Sequence, residues 1–92
     1  DGLYEEMGKH AVDQAMRIKE AFKDKGYRFL VDSPSNQQFL FLPRDAKDKL
    51  SKDYAFECEG DVGQEEFLVR FCTSWATPKE SVDKLLESIK SL

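Results

Sequence analysis

Residues 67–80 read FLVRFCTSWATPKE and decide the fold, because a strand pattern runs there into the start of a helix. Side chains alternate between two faces of this strand: Phe67, Val69 and Phe71 on one, and Leu68, Arg70 and Cys72 on the other. Further on, Thr77, Pro78 and Glu80 have the order of an N-cap, a first-turn proline and a capping-box acid. The stretch therefore predicts a strand over 67–72 followed by a C-terminal helix.

The rest of the chain predicts further elements in the order α-β-β-α-β-β-α. They are a helix over 3–25, strands over 27–31 and 37–43, a short helix over 44–52 and a strand over 54–58. The continuously apolar run from Phe39 to Leu42 favours an interior strand covered on both faces. Helices and paired strands in this order predict an α+β domain with two layers, in which helices pack on one face of a four-stranded, largely antiparallel sheet.

Length and charge limit the class of protein. The chain of 92 residues has room for a single domain, over 1–92. A net charge of -4 disfavours nucleic acid and anionic membranes as partners. The sequence contains no apolar run of the ~20 residues that span a bilayer, so we expect a cytoplasmic protein. Because the chain has no initiator Met and opens on a helix pattern, it is expected to be a piece of a larger protein.

Several residues with functional chemistry have a structural explanation. Cys58 and Cys72 fall within predicted strands and are expected to be buried, reduced packing residues, with no disulfide and no metal site. We expect His10 to be a solvated residue on a polar helix face. Trp75 is expected to fill the core or a domain interface. The acidic loop 59–66 lacks the ligand pattern of a calcium loop.

Arg70 interrupts an apolar strand face and has two interpretations. In the structural one, it lies near a sheet edge, its stem covers apolar neighbours and its guanidinium pairs with Glu57 or Glu59. In the functional one, a part of the protein outside this chain covers the face, and Arg70 binds a carboxylate through two parallel hydrogen bonds. The amides of residues 36–38 follow a Ser-Pro turn, and either turn chemistry or a ligand site explains them.

Two stretches together resemble a known family. KGYRFLVDSPSNQQFLFLP (25–43) and VRFCTSWATPKESVDKLL (69–86) are similar to the C-terminal small domain of enzymes that use pyridoxal 5'-phosphate (PLP) and have the aspartate-aminotransferase fold type. The most similar group is the low-specificity L-threonine aldolases and β-eliminating lyases. The resemblance implies a homo-oligomeric parent enzyme that cleaves the Cα–Cβ bond of a β-hydroxy amino acid to give glycine and an aldehyde. PLP would be bound by an N-terminal domain that this chain lacks, so the fragment would be inactive.

The resemblance also implies roles for particular residues. Arg70 matches the small-domain arginine that binds the α-carboxylate of the amino-acid substrate. Asn36, Gln37, Ser74 and Trp75 would lie near the active site or the domain interface. No residue of this chain is implied in catalysis, in cofactor binding or in metal binding.

Two alternatives to the threonine aldolase interpretation stay open. One is a free-standing α+β regulatory module that binds a small molecule. The other is the small domain of a different enzyme of the same fold type, such as an aminotransferase or a cysteine desulfurase. The segment ECEGDVGQEEF (57–67) differs from the aromatic-containing segment common in the family and leaves the substrate preference open.

Overall fold

The computed structural model describes residues 2–31, 35–52, 54–63 and 65–92, with side chains from Glu5 onward. This part of the chain forms an α+β domain with three helices and a three-stranded antiparallel sheet. The helices are α1 (Gly2–Asp24), α2 (Arg44–Leu50) and α3 (Lys79–Lys90). The strands are β1 (Gln37–Pro43), β2 (Glu57–Gly63) and β3 (Glu66–Cys72).

The strand predicted over 27–31 does not form a full strand, so the four-stranded sheet is not confirmed. Only Phe29 pairs, through an isolated antiparallel bridge to Leu40, and its neighbours add two backbone hydrogen bonds of 3.0 and 2.9 Å to β1. The Tyr27 N–H instead donates to the carbonyl of Phe22 at 3.1 Å, at the end of α1. This bond ties the start of the segment to the helix and leaves few residues to pair with the sheet.

The centre of the sheet is β3, because the strand order is β1-β3-β2. β1 has β3 on one side and the bridge at Phe29 on the other, but Phe39 and Phe41 on its second face are only partly buried, so the strand is not covered on both faces as predicted. The strand predicted over 54–58 is also displaced, and β2 extends through residues 59–63, which were predicted as a loop. This stretch pairs in spite of its glycines, since β3 supplies a complete partner edge. Register shifts in β2 and its exposed acids are features that suit an outer strand.

Helix α1 forms as its apolar spacing predicts. Ala11, Ala15, Ile18 and Phe22 are buried along one stripe of the helix. Gly26 follows with a φ of 86°, a left-handed conformation in which glycine has no steric penalty. The prediction of a helix over 3–25 is confirmed.

The core lies between the helices and one face of the sheet. Burial alternates along β1 and β3, so that every second residue faces the helices. The buried apolar residues of the sheet are Leu40, Leu42, Phe67, Val69 and Phe71, and those of α2 and α3 are Ala46, Leu50, Val82, Leu85 and Ile89. The opposite face, here called the open face, carries Phe39, Phe41, Leu68 and Arg70, each only partly buried.

Helix α3 begins where the proline predicts, although without the predicted capping box. The N–H groups of Ser81 and Val82 donate to the Pro78 carbonyl, at 3.2 and 3.4 Å. The Thr77 hydroxyl accepts a hydrogen bond from the Ser74 N–H at 2.8 Å, and no side-chain bond caps the helix at Pro78. Thr77 therefore uses its hydroxyl to stabilise the preceding turn instead of capping α3.

The prediction that the cysteines are buried is wrong. Cys58 and Cys72 are both free thiols and both exposed. Cys72 ends β3 on the open face, and Cys58 lies on β2, whose outer edge has no strand beside it in the described part of the chain. Cys58 lies opposite Val69 and therefore on the helix side of the sheet, yet it is exposed because β2 is an outer strand.

Candidate functional site

Arg70 lies at the middle of the open face. It is directly opposite Phe39 on β1 and opposite Glu57 on β2. The predicted position near a sheet edge is wrong, because β3 is the central strand. The side chain is 29% exposed, so the guanidinium is within reach of solvent while its stem is covered.

Two glutamates of β2 pair with the Arg70 guanidinium. An Nη nitrogen donates to Glu57, and the Nε nitrogen lies 3.2 Å from a carboxylate oxygen of Glu59. The hydrogen bond to Glu57 raises the pKa of Arg70 above its ordinary value. Arg70 is therefore fixed as a cation, and the intramolecular pairing given by the structural interpretation is present.

A cavity of about 200 Å³ lies beside this arginine. Its lining consists of Ala55, Phe56, Glu57, Arg70 and Cys72. The sequence interpretation did not include Phe56 and Cys72 among the site residues. Cys72 could have been found from its spacing, because residues two apart on a strand share a face.

A second cavity brings three of the predicted site residues together. It has a volume of about 330 Å³, and its lining consists of Met7, Gly8, Ala11, Asn36, Ser74 and Trp75. Gln37 is exposed at the start of β1 and does not line it. Trp75 is 65% exposed, so it does not fill the core of this domain. The contribution of α1 was not predicted, although Met7 and Ala11 lie on the apolar stripe of that helix.

A third cavity, of about 400 Å³, has lining residues in common with the other two. It shares Ala55 with the cavity beside Arg70 and Ser74 with the cavity beside Trp75. The three cavities therefore follow one another past the end of β3. Arg70 lies at one end of this row and Trp75 at the other.

Buried hydrogen bonds hold the segment between these cavities. The Asn36 amide donates to the Thr73 carbonyl at 2.7 Å, and the Thr73 N–H donates to the Asn36 carbonyl at 3.0 Å. The Thr73 hydroxyl donates to the Ala11 carbonyl of α1. Asn36 is thus positioned by structure-forming bonds, which leave its amide oxygen and its second amide N–H for other partners.

His10 is not the solvated surface residue that was expected. Its Nε2 lies 2.8 Å from the Thr77 carbonyl in a partly buried position. The imidazole connects α1 to the turn that precedes α3. His10 therefore contributes to the support of the segment that carries Ser74 and Trp75.

A second arginine covers another part of the open face. The Arg28 guanidinium lies 4.0 Å from the centroid of the Phe41 ring and 3.0 Å from a carboxylate oxygen of Glu66. This geometry is a cation–π contact with an attached ion pair. The open face is consequently a mixture of aromatic rings and paired charges.

The described lysines lie away from the three cavities at the end of β3, and two further cavities have Lys90 and Lys49 in their linings. Among the described residues, no group of three His, Cys, Asp or Glu side chains could hold a metal ion. None of the helices within the described ranges is long and apolar enough to cross a bilayer.

A solved structure of threonine aldolase from Leishmania major superposes on nearly the whole chain. The TM-score is 0.94 at 28% sequence identity, over 99% of this chain and 27% of that chain. This chain has the fold of a threonine aldolase segment. This structural neighbour therefore confirms the resemblance that the two sequence stretches indicated.

Two other solved structures are less similar to this chain. A serine palmitoyltransferase from Sphingomonas wittichii superposes with a TM-score of 0.68 at 16% identity, over 90% of this chain and 23% of that chain. A protein from M. tuberculosis superposes with a TM-score of 0.57 at 18% identity, over 98% of this chain and 21% of that chain. Both show the fold alone. No protein-family model matches the sequence, and no curated protein matches it.

Proposed function

We propose that this chain is the C-terminal small domain of a PLP-dependent, threonine aldolase-like lyase. The complete enzyme would cleave the Cα–Cβ bond of a β-hydroxy amino acid and release glycine and an aldehyde. The observation that carries this proposal is the superposition on threonine aldolase, whose TM-score of 0.94 and identity of 28% exceed the values of 0.68 and 16% for serine palmitoyltransferase.

In this proposal the cofactor belongs to a domain outside this chain. The chain spans only about a quarter of the threonine aldolase length, 27%, which leaves room for a separate PLP domain in the complete enzyme. The isolated chain is then inactive, and the complete enzyme is a homo-oligomer of the cytoplasm.

Arg70 is the residue that we assign to the substrate α-carboxylate. PLP, when bound, labilises the Cα bond that stands perpendicular to its ring, so a fixed carboxylate helps to select that bond. Arg70 is charged, faces a cavity and has exposed glutamates as partners, which makes a carboxylate exchange possible. Asn36, Gln37, Ser74 and Trp75 are assigned to the surroundings of the active site or to the domain interface.

The proposal is tested with the full-length protein and this 92-residue chain side by side. Both are incubated with L-threonine, and glycine and aldehyde are measured. We expect release only from the full-length protein, together with the visible absorbance of bound PLP. Transfer of the amino group to a 2-oxo acid without aldehyde release would indicate an aminotransferase. A full-length protein that binds no PLP would favour the regulatory module.

A further inference from the structure

Two acids lie beside the Arg70 guanidinium, and of the two only Glu57 accepts a hydrogen bond from it; the buried Nε nitrogen has no hydrogen-bond partner among the described residues. Glu57 accepts from an Nη nitrogen, while Glu59 lies 3.2 Å from Nε. The two acids differ in exposure, since the Glu57 side chain is 67% exposed and that of Glu59 is 36% exposed. Arg70 itself is 29% exposed. The Nη end therefore has the partner that can most readily return to water.

Glu57 also lies where a ligand of Arg70 would enter. It lines the same cavity of about 200 Å³, and it is the direct cross-strand partner of Arg70 on β2. Because β2 is an outer strand, the Glu57 side chain can turn away from Arg70 without moving the core. A carboxylate that reaches the Nη nitrogens must take the place of the Glu57 carboxylate.

We propose that Glu57 is an internal substitute for the substrate carboxylate, which orients Arg70 in the empty site and leaves when the substrate binds. This inference rests on the proposed function of Arg70. Glu59 stays within ion-pair distance of Nε during the exchange, so the guanidinium keeps one acid beside it. Glu57 acts through Arg70 and is a positioning residue rather than a catalytic one.

The exchange makes substrate binding selective at a small cost in affinity. One charged hydrogen bond replaces another, so a ligand without a carboxylate has nothing to offset the loss of the Arg70–Glu57 pair. Because exposed ion pairs contribute little, an unpaired Arg70 would bind the same substrate only roughly two- to fivefold more tightly. Glu57 therefore favours amino acids over their amides.

The test compares steady-state kinetics of the full-length enzyme with L-threonine in Glu57→Gln and in a matched control. Glu66→Gln makes the same change of charge on the same face, next to Arg28 at 3.0 Å instead of Arg70. We expect Glu57→Gln to lower KM roughly two- to fivefold and to leave kcat unchanged. We expect Glu66→Gln to change neither. An unchanged or raised KM in Glu57→Gln would overturn the inference, as would an equal fall in both variants.

A second background separates this inference from the proposed function. In Arg70→Met, Glu57→Gln should have no further effect on KM, because the arginine through which Glu57 acts is gone. If Arg70→Met raises KM while Glu57→Gln alone does nothing, the role of Glu57 is wrong and that of Arg70 stands. If Arg70→Met leaves KM unchanged, the carboxylate assignment is wrong and the inference falls with it.

Discussion

Phe39 and Arg70 are direct cross-strand partners at the centre of the open face. A phenyl ring and a guanidinium therefore occupy adjoining positions on the side of the sheet that the helices leave uncovered. Arg28 and Phe41 repeat this combination, with the guanidinium 4.0 Å from the ring centroid. Each of the two arginines also pairs with a glutamate. The face is amphipathic, which suits a surface that meets both a polar ligand and another part of a protein.

Arg70→Lys in the full-length enzyme should lower kcat/KM by about tenfold or more. Lysine keeps the charge but lacks the planar fork that binds a carboxylate through two bonds, and each charge-assisted hydrogen bond contributes about 1.5–3 kcal/mol. We expect the PLP absorbance to be unchanged. Arg28→Lys is the control on the same face and should leave kcat/KM within about twofold. Equal kinetics of wild type and Arg70→Lys would contradict the carboxylate assignment.

The helices could be predicted because their signals are local. The stripe that ends at Phe22, the glycine at position 26 and the proline at position 78 each determine structure within a few neighbouring residues. The short helix predicted over 44–52 also forms, and its Ala46 and Leu50 are buried. The start of α3 was predicted although its capping box does not form, since Pro78 favours the first turn by its fixed φ.

The sheet was harder to predict because pairing depends on distant residues. Residues 59–63 have the composition of a loop, and they form a strand because β3 offers them an edge. The predicted strand over 27–31 has strand composition, and it is reduced to one bridge because Tyr27 is bonded to the end of α1. Composition describes neither the available partner nor the competing bond.

The candidate site was predictable in part. Arg70 was recognised as a cation on an apolar strand face, and Glu57 and Glu59 were recognised as its possible partners. The cavity beside Trp75 could not be foreseen, because α1 contributes Met7 to it from far away in the sequence. Contacts of this kind depend on how helices cross a sheet rather than on sequence spacing.

Thr73→Val should destabilise this chain by about 1 kcal/mol. Thr73 is 3% exposed, and its hydroxyl donates to the Ala11 carbonyl, so valine removes one buried hydrogen bond at nearly constant shape. Urea unfolding followed by circular dichroism measures the change. Val62→Thr makes the reverse replacement at a residue that is 51% exposed and should change the free energy of unfolding by less than about 0.5 kcal/mol. Equal effects of the two replacements would contradict the role of this hydrogen bond.

Asp83→Asn should remove a pH-dependent contribution to stability. The hydrogen bond from Arg17 lowers the pKa of the Asp83 carboxyl below its ordinary value of 3.8. Because the pKa is lower in the folded state, the ion pair stabilises the protein above the unfolded-state pKa, and this contribution is lost as pH falls through the folded-state pKa. We expect the difference in urea midpoint between wild type and Asp83→Asn to shrink as pH falls below 3.8.

Arg17→Met removes the other partner and should abolish the same pH-dependent part, since α1 and α3 are then no longer joined by this pair. If the difference in midpoint stays constant from neutral pH down to the acid limit, the pKa of Asp83 is not linked to folding in this way.

Both cysteine thiols should react with Ellman's reagent in the native protein. Cys58 and Cys72 are exposed, so the reaction needs no unfolding. We expect two equivalents of thiol in buffer and the same two in urea. Cys58→Ser and Cys72→Ser should each lose one equivalent, which assigns the signals. A thiol that reacts only after unfolding would be buried and would contradict the structure at that strand. For Cys72, this result would also contradict the cavity beside Arg70, because Cys72 forms part of its wall.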